Sequence, residues 1–410
     1  MKYGLLGQKL GHSFSKEIHE SFGYYTYDLI EVSKNELDSF MIKREFNAIN
    51  VTIPYKEKVI PYLYSIDPVA QKIGAVNTIV NKEGKLYGYN TDYLGLKSLI
   101  QTKKNDISGY NALILGTGGT SKTAYQVLVD LGVNKITKVS INNEIDTITY
   151  EEAVNSYNNV DMIVNTTPVG MYPNNEDLII DLTKFNNLKL VIDVIYNPLK
   201  TKLGLLAEKL GIPYASGLYM LVSQAVHATS IFMNKVIDES KTLEIYNKIY
   251  KEKQNIVLIG MPSCGKTTIG ELLKTKINKE LIDIDTLIEK RINMSIKDYI
   301  QNNGESAFRQ IEKEIVLEVS KKNNLIISTG GGVIKDYSNI EALKGNGVIV
   351  FIDRDIEKLT PTESRPLSQT KDALNKLYLE RLPLYRKYSD VIVSNNNDIN
   401  EVVLEIINRI

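Results

Sequence analysis

Two stretches of the chain share one design: a short apolar run, a glycine-rich turn, then a segment of helix-forming composition. In the first, Ala112-Leu113-Ile114-Leu115 runs into Gly116-Thr117-Gly118-Gly119-Thr120-Ser121-Lys122-Thr123. In the second, Ile256-Val257-Leu258-Ile259 runs into Gly260-Met261-Pro262-Ser263-Cys264-Gly265-Lys266-Thr267-Thr268. Apolar runs bounded by turn residues read as strands of a parallel sheet, which is covered on both faces and so shows no polar alternation; the segments behind them read as crossover helices. Runs at 135–140, 162–165 and 190–194 extend the first unit, and runs at 325–328 and 348–352 extend the second. The pattern predicts an α/β protein with two separate nucleotide-type units, residues 101–217 and 255–410. Residues 1–100 form a further lobe, completed by about 218–245. Between the halves, Ser240–Gln254 is charged, helix-compatible and free of Pro and Gly, so the boundary is expected there, with 246–254 as a short linker.

Composition narrows the function class. At roughly 150 residues per domain, 410 residues predict two to three domains. Lys+Arg and Asp+Glu both number 49, which argues against a dedicated nucleic-acid or anionic-membrane surface. One cysteine excludes an intramolecular disulfide framework and fits a reducing compartment. With three histidines beside it, a His/Cys zinc site is not expected. The first residues turn polar too quickly for a signal peptide, and no apolar run reaches the ~18 residues of a membrane span. The expectation is a cytoplasmic enzyme acting on small molecules.

Gly260-x-x-x-x-Gly265-Lys266-Thr267 is a full phosphate-binding loop. Its glycines turn backbone N–H groups onto phosphate oxygens, Lys266 reaches the β/γ-phosphates, and the Thr267 hydroxyl can ligate Mg²⁺. Leu281-Ile282-Asp283-Ile284-Asp285 is an apolar stretch ending in two carboxylates. In a strand, both would face one side, one for the metal shell and one to take a proton; a strand end meeting solvent is the plainer reading. Gly304-Glu305-x-x-Phe308-Arg309-x-x-Glu312 puts Arg309 and Glu312 on one helical face, where a surface ion pair is the ordinary outcome. Ser328-Thr329-Gly330-Gly331-Gly332, Arg365-Pro366-Leu367 and Glu380-Arg381-x-Pro383-Leu384-Tyr385 follow. In this order over residues 255–410, the motifs resemble shikimate kinase.

That resemblance implies Mg-ATP and phosphoryl transfer to the 3-hydroxyl of shikimate. It assigns Gly260, Ser263, Cys264, Gly265, Lys266, Thr267, Thr268 and Arg365 to ATP, and Thr267 and Asp283 to the metal. Asp285 would be the base, Arg309 and Arg381 would clamp the shikimate carboxylate, and the backbone of Gly330, Gly331 and Gly332 would pack on the ring. Arg365 would arrive with a lid and, like Lys266, stabilise the transferring phosphoryl group. Forked guanidinium recognition suits a small carboxylate. The stretch 353–365 is short and arginine-poor for such a lid, leaving Lys358 as a weak adenine-side candidate.

The loop Gly116-x-Gly118-Gly119 is a weaker signal, since a tight turn needs no ligand. Its company strengthens it: Gly11-His12-Ser13-Phe14-Ser15, Asn50-Val51-Thr52-Ile53-Pro54-Tyr55-Lys56, Gly74-Ala75-Val76-Asn77-Thr78, Gly88-Tyr89-Asn90-Thr91-Asp92 and Gly217-Leu218-x-Met220-Leu221-Val222-x-Gln224. Polar groups placed just after apolar or glycine-bearing turns build a substrate pocket at strand ends. Over residues 1–240 these motifs resemble shikimate dehydrogenase, a two-lobed fold with an α/β substrate lobe and a Rossmann-like NADP lobe. The resemblance implies reversible hydride transfer between NADP(H) and 3-dehydroshikimate/shikimate. Ser13 and Ser15 would bind the substrate carboxylate, Thr52, Asn77 and Gln224 the ring hydroxyls, and Tyr196 would also line the site. Lys56 and Asp92 would form the acid/base pair, while Gly116, Thr117, Gly118, Gly119, Thr120, Ser140 and Gly217 would hold the cofactor. A loop lysine in solvent is the plain alternative for Lys56, and a helix N-cap for Asp92. His12, His19 and His227 read as packing residues.

Cofactor choice stays open at this level. An acidic residue about 20 positions past the glycine loop would point to NAD, and the strand at 136–140 ends without one. The resembling family commonly places an Asn-Arg-Thr triplet after this strand for the 2′-phosphate; here Ser140-Ile141-Asn142 stands there, with Lys122 and Lys138 as candidate substitutes. Both halves name one small molecule, which predicts a bifunctional enzyme of aromatic biosynthesis. Two alternatives stand beside it: one lobe inactive and regulatory, or a quinate/shikimate dehydrogenase preferring NAD, fused to a small-metabolite kinase.

Overall fold

The computed structural model describes residues 2–11, 13–142, 144–360 and 370–410. Among these residues the strands form three sheets. The first holds β1 (Tyr3–Gly7), β2 (Tyr27–Glu31), β3 (Ala48–Val51), β4 (Ser65–Ile66), β5 (Thr78–Lys82) and β6 (Lys85–Tyr89), in the order β2-β1-β3-β5-β6-β4. It is mixed: β1 pairs in parallel with β2 and β3, whereas β5 runs antiparallel to β3 and β6. The β5–β6 hairpin turns on Glu83 (φ 51°) and Gly84 (φ 80°), the two positive φ values that a tight hairpin of matching twist requires. Leu6, Ile49 and Ile79 from these strands pack with Met41 and Tyr55 as its core.

The second sheet contains β7 (Asn111–Leu115), β8 (Lys135–Val139), β9 (Thr147–Ile148), β10 (Met162–Asn165), β11 (Leu190–Asp193) and β12 (Tyr214–Ser216), ordered β12-β11-β10-β7-β8-β9. All its pairings are parallel. β10 and β11 are buried along their whole length, the consequence of covering both faces. The order reverses beside β7, which opens a crevice at the C-terminal strand ends where dinucleotides bind in doubly wound sheets. The third sheet, β13 (Asn255–Ile259), β14 (Glu280–Asp283), β15 (Leu325–Ser328), β16 (Gly347–Asp353) and β17 (Val391–Ser394), is also parallel, in the order β14-β15-β13-β16-β17. Its switch point is β13, so the loop after β13 opens at the crevice.

The chain divides into two compact units: residues 1–171, 177–196 and 206–250, and residues 172–176, 197–205 and 251–410. The helix Ser240–Lys253 runs through the segment expected to end in a linker and leaves only Gln254 before β13. Within the first unit, the helices Thr91–Gln101 and Leu218–Met233 pack closely at Gly95, where a Cβ would stand 2.7 Å from the Met220 carbonyl oxygen. No helix among the described residues is long and apolar enough to cross a membrane.

Three local expectations are corrected. Asp283 and Asp285 do not share a strand: β14 stops at Asp283, which caps the helix Ile284–Ile292 by accepting from the Thr286 N–H at 3.1 Å. A carboxylate satisfying a free helix N–H is what ends the strand. Asp92 is not an N-cap; Asn90 takes that place through the Tyr93 N–H, leaving Asp92 in the first turn. Glu312, expected in a surface pair, is fully buried.

Candidate functional sites

In the first unit, helix Thr91–Gln101 brings Asp92 under the loop after β3, and Lys56 Nζ donates to Asp92 Oδ2 at 2.6 Å. Both side chains are largely covered, at 15% and 11% exposure, so Lys56 is not a solvated loop lysine. Next to the pair lies a buried amide–hydroxyl network. Asn77 Oδ1 accepts from the Thr91 N–H at 2.7 Å, and Thr91 Oγ1 donates to Gln224 Oε1 at 3.3 Å. The close helix approach at Gly95 is what puts Gln224 within reach. Thr52 begins the same loop, held by its N–H on the Leu6 carbonyl. Ser13 Oγ and Ser15 Oγ are 3.0 Å apart. Tyr196 shares a hydrogen bond with Ser13, and burial pushes its phenol up. His12 lies outside the described residues. His19 stacks on Tyr27 at 4.0 Å, a packing role, and burial pushes its pKa down to about 3.

The first glycine loop follows β7. Gly116 adopts φ 101° with a virtual Cβ 2.9 Å from Thr167, so only glycine fits there. Gly118 precedes the helix Gly119–Asp130, whose N-terminus, like any helix start, offers N–H groups without intrahelical partners for an anion such as pyrophosphate. Gly217 is pressed against the backbone of Val194, at 2.0 Å from a virtual Cβ to its carbonyl oxygen. These residues fit the pyrophosphate end of a dinucleotide. The 2′-phosphate end is different. Lys122 is engaged with Glu57 at 2.9 Å, and Lys138 lies over the Tyr125 ring. Instead Glu144, which sequence reasoning passed over, comes to the loop: its Oε1 is 3.3 Å from Thr117 Oγ1 and 3.4 Å from Ser140 Oγ.

In the second unit, the loop from Gly260 (φ 149°) to Gly265 (φ 99°) leads into the helix Lys266–Lys276. Lys266 Nζ is buried and donates to the carbonyls of Gly260 and Met261 at 3.0 and 2.9 Å. Ser263 Oγ donates to the Thr360 carbonyl, and Asn395 Nδ2 holds the carbonyl of buried Cys264 at 2.8 Å. Thr267 Oγ1 donates to Asp283 Oδ2 at 3.0 Å, so the hydroxyl and carboxylate assigned to a metal are neighbours. Thr268 is in the first turn. The backbone and Lys266 fit nucleotide phosphates, and the Thr267–Asp283 oxygen pair fits a hard divalent cation.

The triple glycine after β15 closes the site. A Cβ on Gly330 would stand 2.6 Å from Asp285 Oδ1 and 3.2 Å from Glu312 Oε1; one on Gly332 would strike the Arg309 guanidinium at 2.3 Å. Arg309 Nη1 donates to Glu312 Oε2 at 2.7 Å. Burial pushes the Glu312 carboxyl up while Arg309 pulls it down. Arg381, 3% exposed inside the helix Lys371–Tyr388, donates from Nη1 to the Gly331 carbonyl at 2.9 Å, joined there by the Tyr385 hydroxyl. Gly304 (φ 86°) breaks the helix Ile296–Ser320 so that a new run from Glu305 carries Arg309. Lys358 donates to the Asn396 carbonyl at 2.9 Å. Arg365 lies outside the described residues. Glu312 is the residue missed as part of this cluster; its i,i+3 spacing to Arg309 was visible, its burial was not.

Comparisons with known proteins agree with this geometry. The family model of the shikimate dehydrogenase substrate binding domain matches residues 5–79, and that of shikimate kinase matches residues 262–410. The shikimate dehydrogenase (NADP(+)) of Clostridium perfringens (strain 13 / Type A) is 37% identical over 265 residues, covering 60% of this chain and 97% of the relative. Shikimate dehydrogenase 1 from Peptoclostridium difficile, a solved structure, is 38% identical, covering 61% of this chain and 98% of its own, with a TM-score of 0.57. A chorismate mutase/shikimate 5-dehydrogenase fusion protein from Clostridium acetobutylicum is 35% identical, covering 61% of this chain and 97% of its own, with a TM-score of 0.56. The chain belongs to the shikimate dehydrogenase family and carries a shikimate kinase domain behind that half.

Proposed function

We propose that the chain reduces 3-dehydroshikimate to shikimate in its first half and phosphorylates the shikimate 3-hydroxyl in its second. The two activities make it a bifunctional enzyme of aromatic biosynthesis. The observation that carries this reading is the pairing of two complete polar clusters: Lys56–Asp92 beside Asn77 and Gln224, and Asp285–Arg309–Glu312 beside the phosphate loop. NADPH supplies the hydride and Mg-ATP the phosphoryl group. In the first site Lys56 holds the proton that the carbonyl oxygen takes up as it becomes a hydroxyl, and its positive charge stabilises the alkoxide-like oxygen meanwhile. Asp92 keeps Lys56 oriented. Ser13, Ser15 and Tyr196 bind the carboxylate end; Thr52, Asn77 and Gln224 bind ring hydroxyls.

In the second site Arg309, fixed by Glu312, and Arg381, fixed on Gly331, fork onto the shikimate carboxylate. Asp285 accepts the proton of the attacking hydroxyl. Lys266, with the loop N–H groups, neutralises phosphate charge, and Thr267 with Asp283 holds the divalent cation. Arg365 serves the same phosphates. The dehydrogenase comprises residues 1–245 and the kinase 255–410 on this reading, and a single buried cysteine suits a cytoplasmic location. A coupled assay tests it: purified chain with 3-dehydroshikimate, NADPH and Mg-ATP yields shikimate 3-phosphate, and omitting NADPH stops both steps whereas omitting ATP stops only the second. Formation of no shikimate with NADPH present would overturn the reading.

A further inference from the structure

The end of β8 decides what the adenosine part of the cofactor meets. Three observations converge there. The position of the expected arginine is taken by Ile141, an aliphatic side chain 85% exposed. The two lysines that could replace it have partners elsewhere, Lys122 on Glu57 and Lys138 on Tyr125. The group that does reach the glycine loop is a carboxylate, with Glu144 Oε1 accepting from Thr117 Oγ1 at 3.3 Å and from Ser140 Oγ at 3.4 Å. The loop that carries it is fastened at both ends. Ser140 N–H bonds to the Ile148 carbonyl, Asn142 N–H to Ser140 Oγ at 3.1 Å, and Thr147 Oγ1 to the Glu144 carbonyl at 2.9 Å. Glu144 is itself exposed, and its carboxylate reaches the glycine loop through Thr117 and Ser140.

A carboxylate in this place accepts a hydrogen bond from a free ribose 2′-hydroxyl, the arrangement that selects NAD in doubly wound sheets. Toward a 2′-phosphate it is a like charge, and the arginine that would bridge the two is replaced by Ile141. We propose that Glu144 reads the adenosine ribose and that the dehydrogenase half accordingly accepts NAD(H) alongside NADP(H), binding the two with similar affinity. This rests on the dehydrogenase reading of the first half and sets its cofactor range.

Titration calorimetry with NADPH and NADH on the full chain tests it without turnover. In the unmodified protein the two dissociation constants fall within about tenfold of each other. Glu144→Gln tightens NADPH about tenfold and weakens NADH severalfold, because the charge is removed while the shape is kept. Ile141→Arg, which leaves Glu144 in place, also tightens NADPH, and an unchanged melting temperature shows either variant folded. NADPH binding more than 100-fold tighter than NADH in the unmodified chain, or a ratio unmoved by both substitutions, overturns the assignment of Glu144 alone. Binding of neither nucleotide overturns the dehydrogenase reading together with it.

Discussion

Lys56 and Asp92 are the two side chains whose removal says most. A lysine held at 2.6 Å from a carboxylate, with both groups mostly covered, does not decorate a surface, and this suits the proton-delivering role proposed for it. Lys56→Met should lower kcat for reduction by about 10²- to 10⁴-fold, the usual worth of a positioned acid, with a smaller change in KM; steady-state kinetics with 3-dehydroshikimate checks this. His19 makes a different prediction, about stability. Its pKa is pushed down to about 3 by burial against an unfolded value of 6.5, so between those values the unfolded chain binds the extra proton. Stability from this residue is complete above pH 6.5 and falls as the medium is acidified, by up to about 1.4 kcal/mol per pH unit. In His19→Phe, which keeps the stacking on Tyr27, chemical denaturation at pH 7, 6 and 5 should show a shallower acid slope. An identical slope would mean that the ring is not held neutral.

Elements place these residues through close approaches that only glycine allows. A methyl group on Gly332 collides with the far end of Arg309, a flexible side chain, and not with backbone. Gly332→Ala should therefore raise the KM for shikimate in the kinase assay while leaving the melting temperature nearly unchanged. At Gly95 the obstacle is the Met220 carbonyl itself, so Gly95→Val forces two helices apart. It should cost about 1–3 kcal/mol and lower 3-dehydroshikimate reduction by displacing Gln224. The central strands of the second and third sheets were legible because burial on both faces leaves uninterrupted apolar runs, as at Val257–Ile259 and Ile163–Val164; the edge strands β9, β12 and β17, short or exposed on one face, were not. The helix start at Ile284 was not, since Ile282 and Ile284 continue a strand-like alternation past the capping carboxylate of Asp283. The mixed pairing of the first sheet was also missed, although Glu83-Gly84 carried a hairpin signal. The motif residues of both sites were singled out by their order along the chain, and their roles came only from the resemblance to the two families. Glu144 and Glu312 could not be placed in this way, because what distinguishes them is a partner far along the chain or complete burial.

For the whole molecule, two compact units with separate cores imply that either chemistry can be lost without the other. Lys266→Ala should abolish phosphorylation and leave the rate of 3-dehydroshikimate reduction intact, and Lys56→Met should do the reverse; loss of both activities from one substitution would contradict this. Shikimate made by the first half should mix with the bulk pool, so unlabelled shikimate added to the coupled reaction dilutes an isotopic label in the phosphorylated product.

The chain's single thiol, Cys264, sits at zero exposure inside the phosphate loop, its carbonyl tied to Asn395. A thiol so enclosed is alkylated only when the loop opens, so the rate of modification by a maleimide becomes an intrinsic clock for that opening. Saturating Mg-ATP should slow the clock, with no engineered label needed to read it.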